Sequence, residues 1–75
     1  MPFIDIKVIQ GVFTPEEKRE LVERVSEAVV AVEGEALRPA TVTAITETPS
    51  GEWAIGGRTY AADDVKAMRS AGAAV

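Results

Sequence analysis

Between Thr14 and Gly34 the stretch TPEEKRELVERVSEAVVAVEG describes one helix with both ends marked. Thr14 stands as N-cap, Pro15 takes the first helical position, where its missing amide proton costs nothing, and Glu17 closes a capping box. Leu21, Val22, Val25, Ala28, Val29 and Val32 follow at the spacing of a single apolar stripe. Gly34 ends the helix in the manner of a C′ residue. Glu16, Glu17, Lys18, Arg19, Glu20, Glu23, Arg24 and Glu27 cover the remainder and read as a solvated face, with Glu20 and Arg24 in the favourable i, i+4 order. A helix with one apolar stripe must lay it on another element, and two β-patterned runs flank this one.

The first run alternates from Pro2 to Ile9: Ile4, Ile6 and Val8 share one face, and Phe3, Asp5, Lys7 and Ile9 the other. Gly11 breaks it. The second, TVTAITE from Thr41 to Glu47, is rich in β-branched residues. The next four residues, TPSG, predict a type I turn with Pro49 at its second position and Gly51 at its fourth. EWAIGGRTY reads as a short β-ribbon interrupted at Gly56 and Gly57, Ala62 to Arg69 as a short helical piece capped by Asp63, and about 70–75 as a mobile tail. One domain spanning residues 1–75 is expected, of α/β class: a single βαβ protomer with parallel strands and a right-handed crossover, followed by a short C-terminal β-ribbon.

Such a protomer is incomplete. A two-stranded parallel sheet is too small to stand alone and needs both faces covered, while one helix covers one face. Phe3, Ile9, Ile45, Trp53 and Ile55 are left as the uncovered set. Self-association is the simplest completion.

The composition removes most catalytic machinery. The 75 residues contain no cysteine and no histidine, so thiolate chemistry, imidazole bases and the usual transition-metal ligands are absent, and no metal or cofactor is expected. A formal net charge of −4 argues against a nucleic-acid partner. No apolar run approaches the roughly 20 residues of a membrane span, and no basic-then-apolar leader opens the chain, so a cytoplasmic protein without a membrane partner is the expectation. Catalysis falls to carboxylates, Lys, Arg, Tyr60, hydroxyls or the N-terminus. Here Pro2 matters: with Met1 removed it is a secondary amine. An ordinary α-amino group titrates at about 7.7–8.0, against about 10.4 for Lys and about 4 for carboxylates, so it needs the smallest shift to act as a base near neutrality. Desolvation by an apolar wall lowers it further, and Val12, Phe13, Trp53 and Ile55 are candidates for that wall.

Pro2 opening a strand, Gly11 before a capped helix, SEAV at Ser26–Val29, a second strand ending in ITE, and the aromatic-x-Ile-Gly-Gly segment Trp53–Gly57 resemble, in that order, 4-oxalocrotonate tautomerase. The similarity runs from Pro2 to about Gly57. It implies the tautomerase fold, with protomers paired into a four-stranded sheet and three pairs forming a hexamer, a dimer or trimer being the fallback. It implies that Pro2 is the catalytic base of a keto–enol tautomerase acting on a small enol or 2-oxo acid, and that Trp53 takes the active-site aromatic position, a phenylalanine in the namesake enzyme. That enzyme grips a dicarboxylate with two arginines. Their positions are Val12 and Thr43 here, so the usual diacid is not the expected substrate, and Arg38, Arg58 or Lys7 is left to supply the charge. The alternatives are a Pro-dependent hydratase or decarboxylase on the same scaffold, or a non-catalytic oligomeric binding relative. Haloacrylate-hydrating relatives carry a glutamate two residues beyond the aromatic; Ile55 stands there and weighs against hydration.

Overall fold

The structure, a computed structural model, describes residues 1–73. Strand β1 (Phe3–Ile9), helix α1 (Pro15–Glu33), a 3₁₀ helix (Glu35–Ala40), β2 (Val42–Thr48), β3 (Trp53–Ile55), β4 (Arg58–Tyr60) and helix α2 (Ala62–Ala73) follow in order. Strands β1 and β2 pair with each other, and β3 and β4 form a separate two-stranded sheet. Val42 N–H donates to Pro2 O (3.1 Å) and Gln10 N–H to Thr48 O (2.8 Å), so β1 and β2 lie start to start and end to end, hence parallel. The α/β reading and the βαβ core stand.

Contacts divide the chain into two compact units. The first comprises Met1–Ile6 with Thr14–Thr46. Its helix starts as the sequence dictates: Thr14 Oγ1 accepts from Glu17 N–H at 3.1 Å and Glu17 Oε1 accepts from Thr14 N–H at 3.0 Å. Gly34, at φ 102°, closes it, its N–H donating to Val30 O at 2.8 Å. The face that α1 turns inward differs from the expected stripe. Val30, outside that stripe, is its most buried residue, whereas Ala28 is exposed and Val32 is 90% exposed. The reason is that residues 28–32 are all apolar, so periodicity alone does not choose among overlapping arcs. A hydrogen bond does: Ser26 Oγ and Thr43 Oγ1 lie 2.6 Å apart, fixing Ser26 toward β2 and bringing Val30, one turn on, with it. Across the strands, Thr46 Oγ1 donates to Asp5 Oδ1 at 2.7 Å.

The second unit comprises Lys7–Phe13 with Glu47 onward. Val8, Ile9 and Val12 are buried in it. Ile9 therefore leaves the uncovered set, while Phe3 and Ile55 remain 69% and 65% exposed as expected. The turn after β2 closes one residue later than predicted. Glu52 N–H donates to Pro49 O at 3.0 Å, which puts Gly51, at φ 88°, at the third position, where a type II turn needs positive φ. Strands β3 and β4 are antiparallel, with Trp53 opposite Tyr60, and Gly56 and Gly57, both at positive φ, make the primed turn between them. Helix α2 continues past Arg69 to Ala73, so residues 70–73 of the expected tail are helical and 74–75 lie outside the described residues. Its cap is not Asp63. Asp64 Oδ2 reaches back to accept from Ala61 N–H at 2.8 Å, and Ser50 Oγ accepts from Ala62 N–H at 2.8 Å. The carboxylate three positions into the helix is the one whose reach returns to the cap amide. No helix among the described residues is long and apolar enough to cross a membrane.

Candidate functional site

Pro2, Trp53 and Arg38, each singled out in the sequence, line three different cavities. Pro2 is half-buried and lines an open groove of about 730 Å³ in the first unit. Val25, Ala28, Val29 and Val32 of α1 form one side of it, with Leu37 and Met1 adjoining. These four sit at i, i+3, i+4 and i+7, so the expected stripe exists but faces this groove. The one acidic group on the groove is Glu33. Its Oε2 accepts from the Thr41 hydroxyl, and its Oε1 is buried without a partner.

Val12 and Trp53 come together in the second unit, lining a cavity of about 210 Å³ with Lys7, Ile9, Phe13 and Val65. Val12 is buried and Trp53 half-buried, with Phe13 as a second ring in the lining, but Pro2, whose amine this wall was expected to surround, does not line this cavity. Lys7 supplies a cation to the lining. Ile55 does not line this cavity.

Arg38 and Thr43 share a third cavity, about 320 Å³, with Ser26, Glu27 and Thr41. The Arg38 guanidinium is clasped on two sides. Nη1 and Nη2 donate to the two carboxylate oxygens of Glu27 at 2.6 and 3.0 Å, and Nε and Nη2 to those of Glu35 at 2.8 and 2.9 Å. Hydrogen bonds from Arg38 hold both carboxyl groups below their ordinary titration range, and the same bonds, Glu35 first, hold Arg38 above its own. A substrate carboxylate at Arg38 would compete with two that are already there. Arg58 lies over the Tyr60 ring, 4.9 Å from its centroid. Pro2 and Trp53 thus line separate cavities, and of the three cations raised for the substrate Lys7 lines the Trp53 cavity and Arg38 the third.

One group that the sequence did not single out stands beside the Trp53 cavity. Arg69 Nη1 donates to Val12 O at 3.2 Å, and its guanidinium carbon is 4.9 Å from the centre of the Phe13 ring. The signal available in the sequence was the i, i+4 spacing of Val65 and Arg69, which puts them on one face of α2. Nothing local to that helix says that the face returns to residue 12.

The sequence model of the tautomerase family, described as tautomerase enzyme, matches residues 2–63. Among solved structures, the chain is similar to YwhB, a homologue of 4-oxalocrotonate tautomerase (33% identity, 84% of this chain and 97% of that one, TM-score 0.67). It is similar also to the 4-oxalocrotonate tautomerase isozymes from Methylibium petroleiphilum (31% identity, 85% and 97%, TM-score 0.68). DmpI from Helicobacter pylori matches at 32% identity over 92% of this chain and 97% of that one, with TM-score 0.67. No curated protein matches the sequence. With the βαβ core, the capped helix and the Gly-Gly ribbon each found in place, the chain belongs to the tautomerase family, and that membership supports an isomerase.

Proposed function

We propose that this protein is a tautomerase whose base is the amine of Pro2, freed by removal of Met1, and whose substrate is a small enol or 2-oxo acid other than the usual dicarboxylate. The observation that carries the reading is the setting of Pro2: half-buried, in a groove built from Val25, Val29, Val32 and Leu37. An apolar wall disfavours the ammonium form and brings a prolyl amine down toward neutrality. The neutral nitrogen takes the proton from the enol oxygen, and the resulting ammonium returns it to carbon, completing the transfer with the base regenerated. While Met1 remains attached, that nitrogen is an amide and has no basic lone pair.

The protomer works as part of a homo-oligomer, most simply a hexamer of paired protomers. Exposed Phe3, Val32 and Ile55, together with a core that buries only Val8, Ile9, Val12 and Val30 among the described residues, argue for it. Assembly also offers a way for Pro2 of one copy to meet the Trp53 wall of another. Arg58 and Arg38 remain the cations that the sequence raised for the substrate carboxylate, Arg38 at the cost of displacing Glu27 or Glu35. Hydration is disfavoured because Ile55, an exposed aliphatic residue, occupies the place of the water-activating glutamate.

The test compares processed protein, Met1-retaining protein and Pro2→Ala on one enol substrate across pH. A positioned base contributes about 10²–10⁴-fold. The Met1-retaining form should lose at least that much, and Pro2→Ala, which keeps a primary amine, should lose part of it. Equal turnover by the Met1-retaining form would exclude the amine mechanism.

A further inference from the structure

We propose that Glu33 is the positioning residue of the Pro2 amine: its Oε1 accepts the one N–H of the processed N-terminus and so turns the lone pair of that nitrogen toward the groove. The observation that carries this is an oxygen left over. Oε1 of Glu33 is buried and has no hydrogen-bond partner among the described residues, while Oε2 accepts from the Thr41 hydroxyl. A buried carboxylate oxygen without a donor is costly enough that a folded protein seldom keeps one. Glu33 is also the last residue of α1, whose final turn carries no basic residue. The carboxylate therefore sits at the negative end of the helix, where a cation is favoured and an anion is not. Both facts call for a cationic donor.

The donor is identified by what shares the groove. Among the described residues that line it, Glu33 is the only charged side chain, Pro2 is a neighbour, and the rest are apolar. Arg38, the one cation of the adjoining 3₁₀ helix, is taken by Glu27 and Glu35. The start of β2 brings the acid and the proline together: Thr41 holds the carboxylate, and the next residue, Val42, donates its amide to Pro2 O at 3.1 Å. Adjacent strands run about 4.8 Å apart, so the carboxylate and the pyrrolidine ring lie at the same end of the β1–β2 pair. With Met1 attached, the Pro2 nitrogen is a tertiary amide and has no proton to donate. This is the state in which Oε1 is unpartnered. Removal of Met1 supplies the missing donor in place.

The arrangement gives a secondary amine its direction. A neutral prolyl nitrogen has one N–H and one lone pair; with the N–H on Glu33, the lone pair takes the remaining position and faces the groove. After it has taken a proton, the ammonium carries two N–H groups, one still on Glu33 and the other the proton that returns to carbon. This is the logic of a base oriented by a third group. Two opposed influences then act on the amine: the apolar lining of Val25, Val29, Val32 and Leu37 disfavours the ammonium, and Glu33 favours it. That the amine is a catalytic base rests on the tautomerase reading; the hydrogen bond requires only that Met1 be removed.

The test needs no substrate. Processed full-length protein with isotope-labelled proline is titrated by NMR, following the Pro2 nitrogen, as wild type, Glu33→Gln and Glu33→Asp. The pKa of the amine should fall by about one unit in Glu33→Gln and by less in Glu33→Asp, which keeps the charge on a shorter arm. Chemical denaturation at about pH 6, where the amine is protonated and the carboxylate ionised, gives a second reading. Glu33→Gln should cost more stability in the processed chain than in the Met1-retaining chain, because only the former holds the pair; loss of the Thr41 contact is common to both. An unchanged amine pKa in Glu33→Gln, or an equal loss of stability in the two chains, overturns the assignment. An amine shifted by Glu33 in a protein that turns over no enol sustains this inference and removes the catalytic reading. Turnover by an amine indifferent to Glu33 does the reverse.

Discussion

The carbonyl of Pro2 accepts a hydrogen bond from the amide of Val42 at 3.1 Å, so the residue proposed as base is held by a rung of the parallel ladder. A terminal residue would otherwise fray. Here its carbonyl is held by β2 and its side chain lines the groove of α1.

The groove also contains Glu33, and a carboxylate near an amine favours the ammonium form. Replacing it with Gln should therefore lower the pKa of the base. In kcat/KM plotted against pH, the rise that marks loss of the ammonium proton should move to lower pH in Glu33→Gln. A rise that stays in place would mean that Glu33 serves only Thr41.

Substrate preference follows from the absent arginines. Phenylenolpyruvate or another monoacid enol should be turned over relatively better than a dicarboxylic dienol, because the positions of the family's two arginines are Val12 and Thr43, the second committed to Ser26. The check is the ratio of kcat/KM values for the two substrates on processed protein. A strong preference for the dicarboxylate would contradict the reading of both positions.

The clasp on Arg38 predicts a pH dependence of stability. Glu27 and Glu35 titrate below their ordinary 4.5 in the folded chain because Arg38 bonds them, so their contribution is complete above 4.5 and fades as pH falls through the lowered values. The sites are solvent-exposed, so the effect is small and weakens with salt. Arg38→Gln should melt lower than wild type at neutral pH, with the gap closing in acid. A gap independent of pH would point to lost packing of the arginine stem.

Two valines on one helix should behave oppositely. Val30 is 4% exposed, and Val30→Ala should cost about 2 kcal/mol of folding stability through lost burial and a residual cavity. Val32 is 90% exposed in the protomer, so Val32→Ser should change intrinsic folding by less than about 0.5 kcal/mol. If the groove is covered by another copy, Val32→Ser should weaken assembly and make the melting temperature depend more steeply on protein concentration. Light scattering and melts at two concentrations separate the cases.

Local chemistry was enough to determine much of this protein. The capping box of Thr14 and Glu17, the stop at Gly34, the alternation of β1 and the two-glycine turn at Gly56 and Gly57 are each short-range arrangements, decided within a few residues by hydrogen-bond reach and allowed φ, and each is where the sequence implies. The family pattern likewise survives as an ordered string of such features. Tertiary structure decided what the string leaves degenerate. With residues 28–32 all apolar, tertiary packing places Val30 inside, on the side where Ser26 bonds Thr43, and leaves Val32 outside. The placing of Arg38 between Glu27 and Glu35 depends on a 3₁₀ helix that no periodicity announces. Arg69 reaches Val12 across 57 positions of sequence, a contact fixed by where α2 packs within its unit and by no property of the residues beside it. Short-range rules fix the elements because their partners are a turn away; which side chains meet to make a site is set by packing, which those rules do not encode.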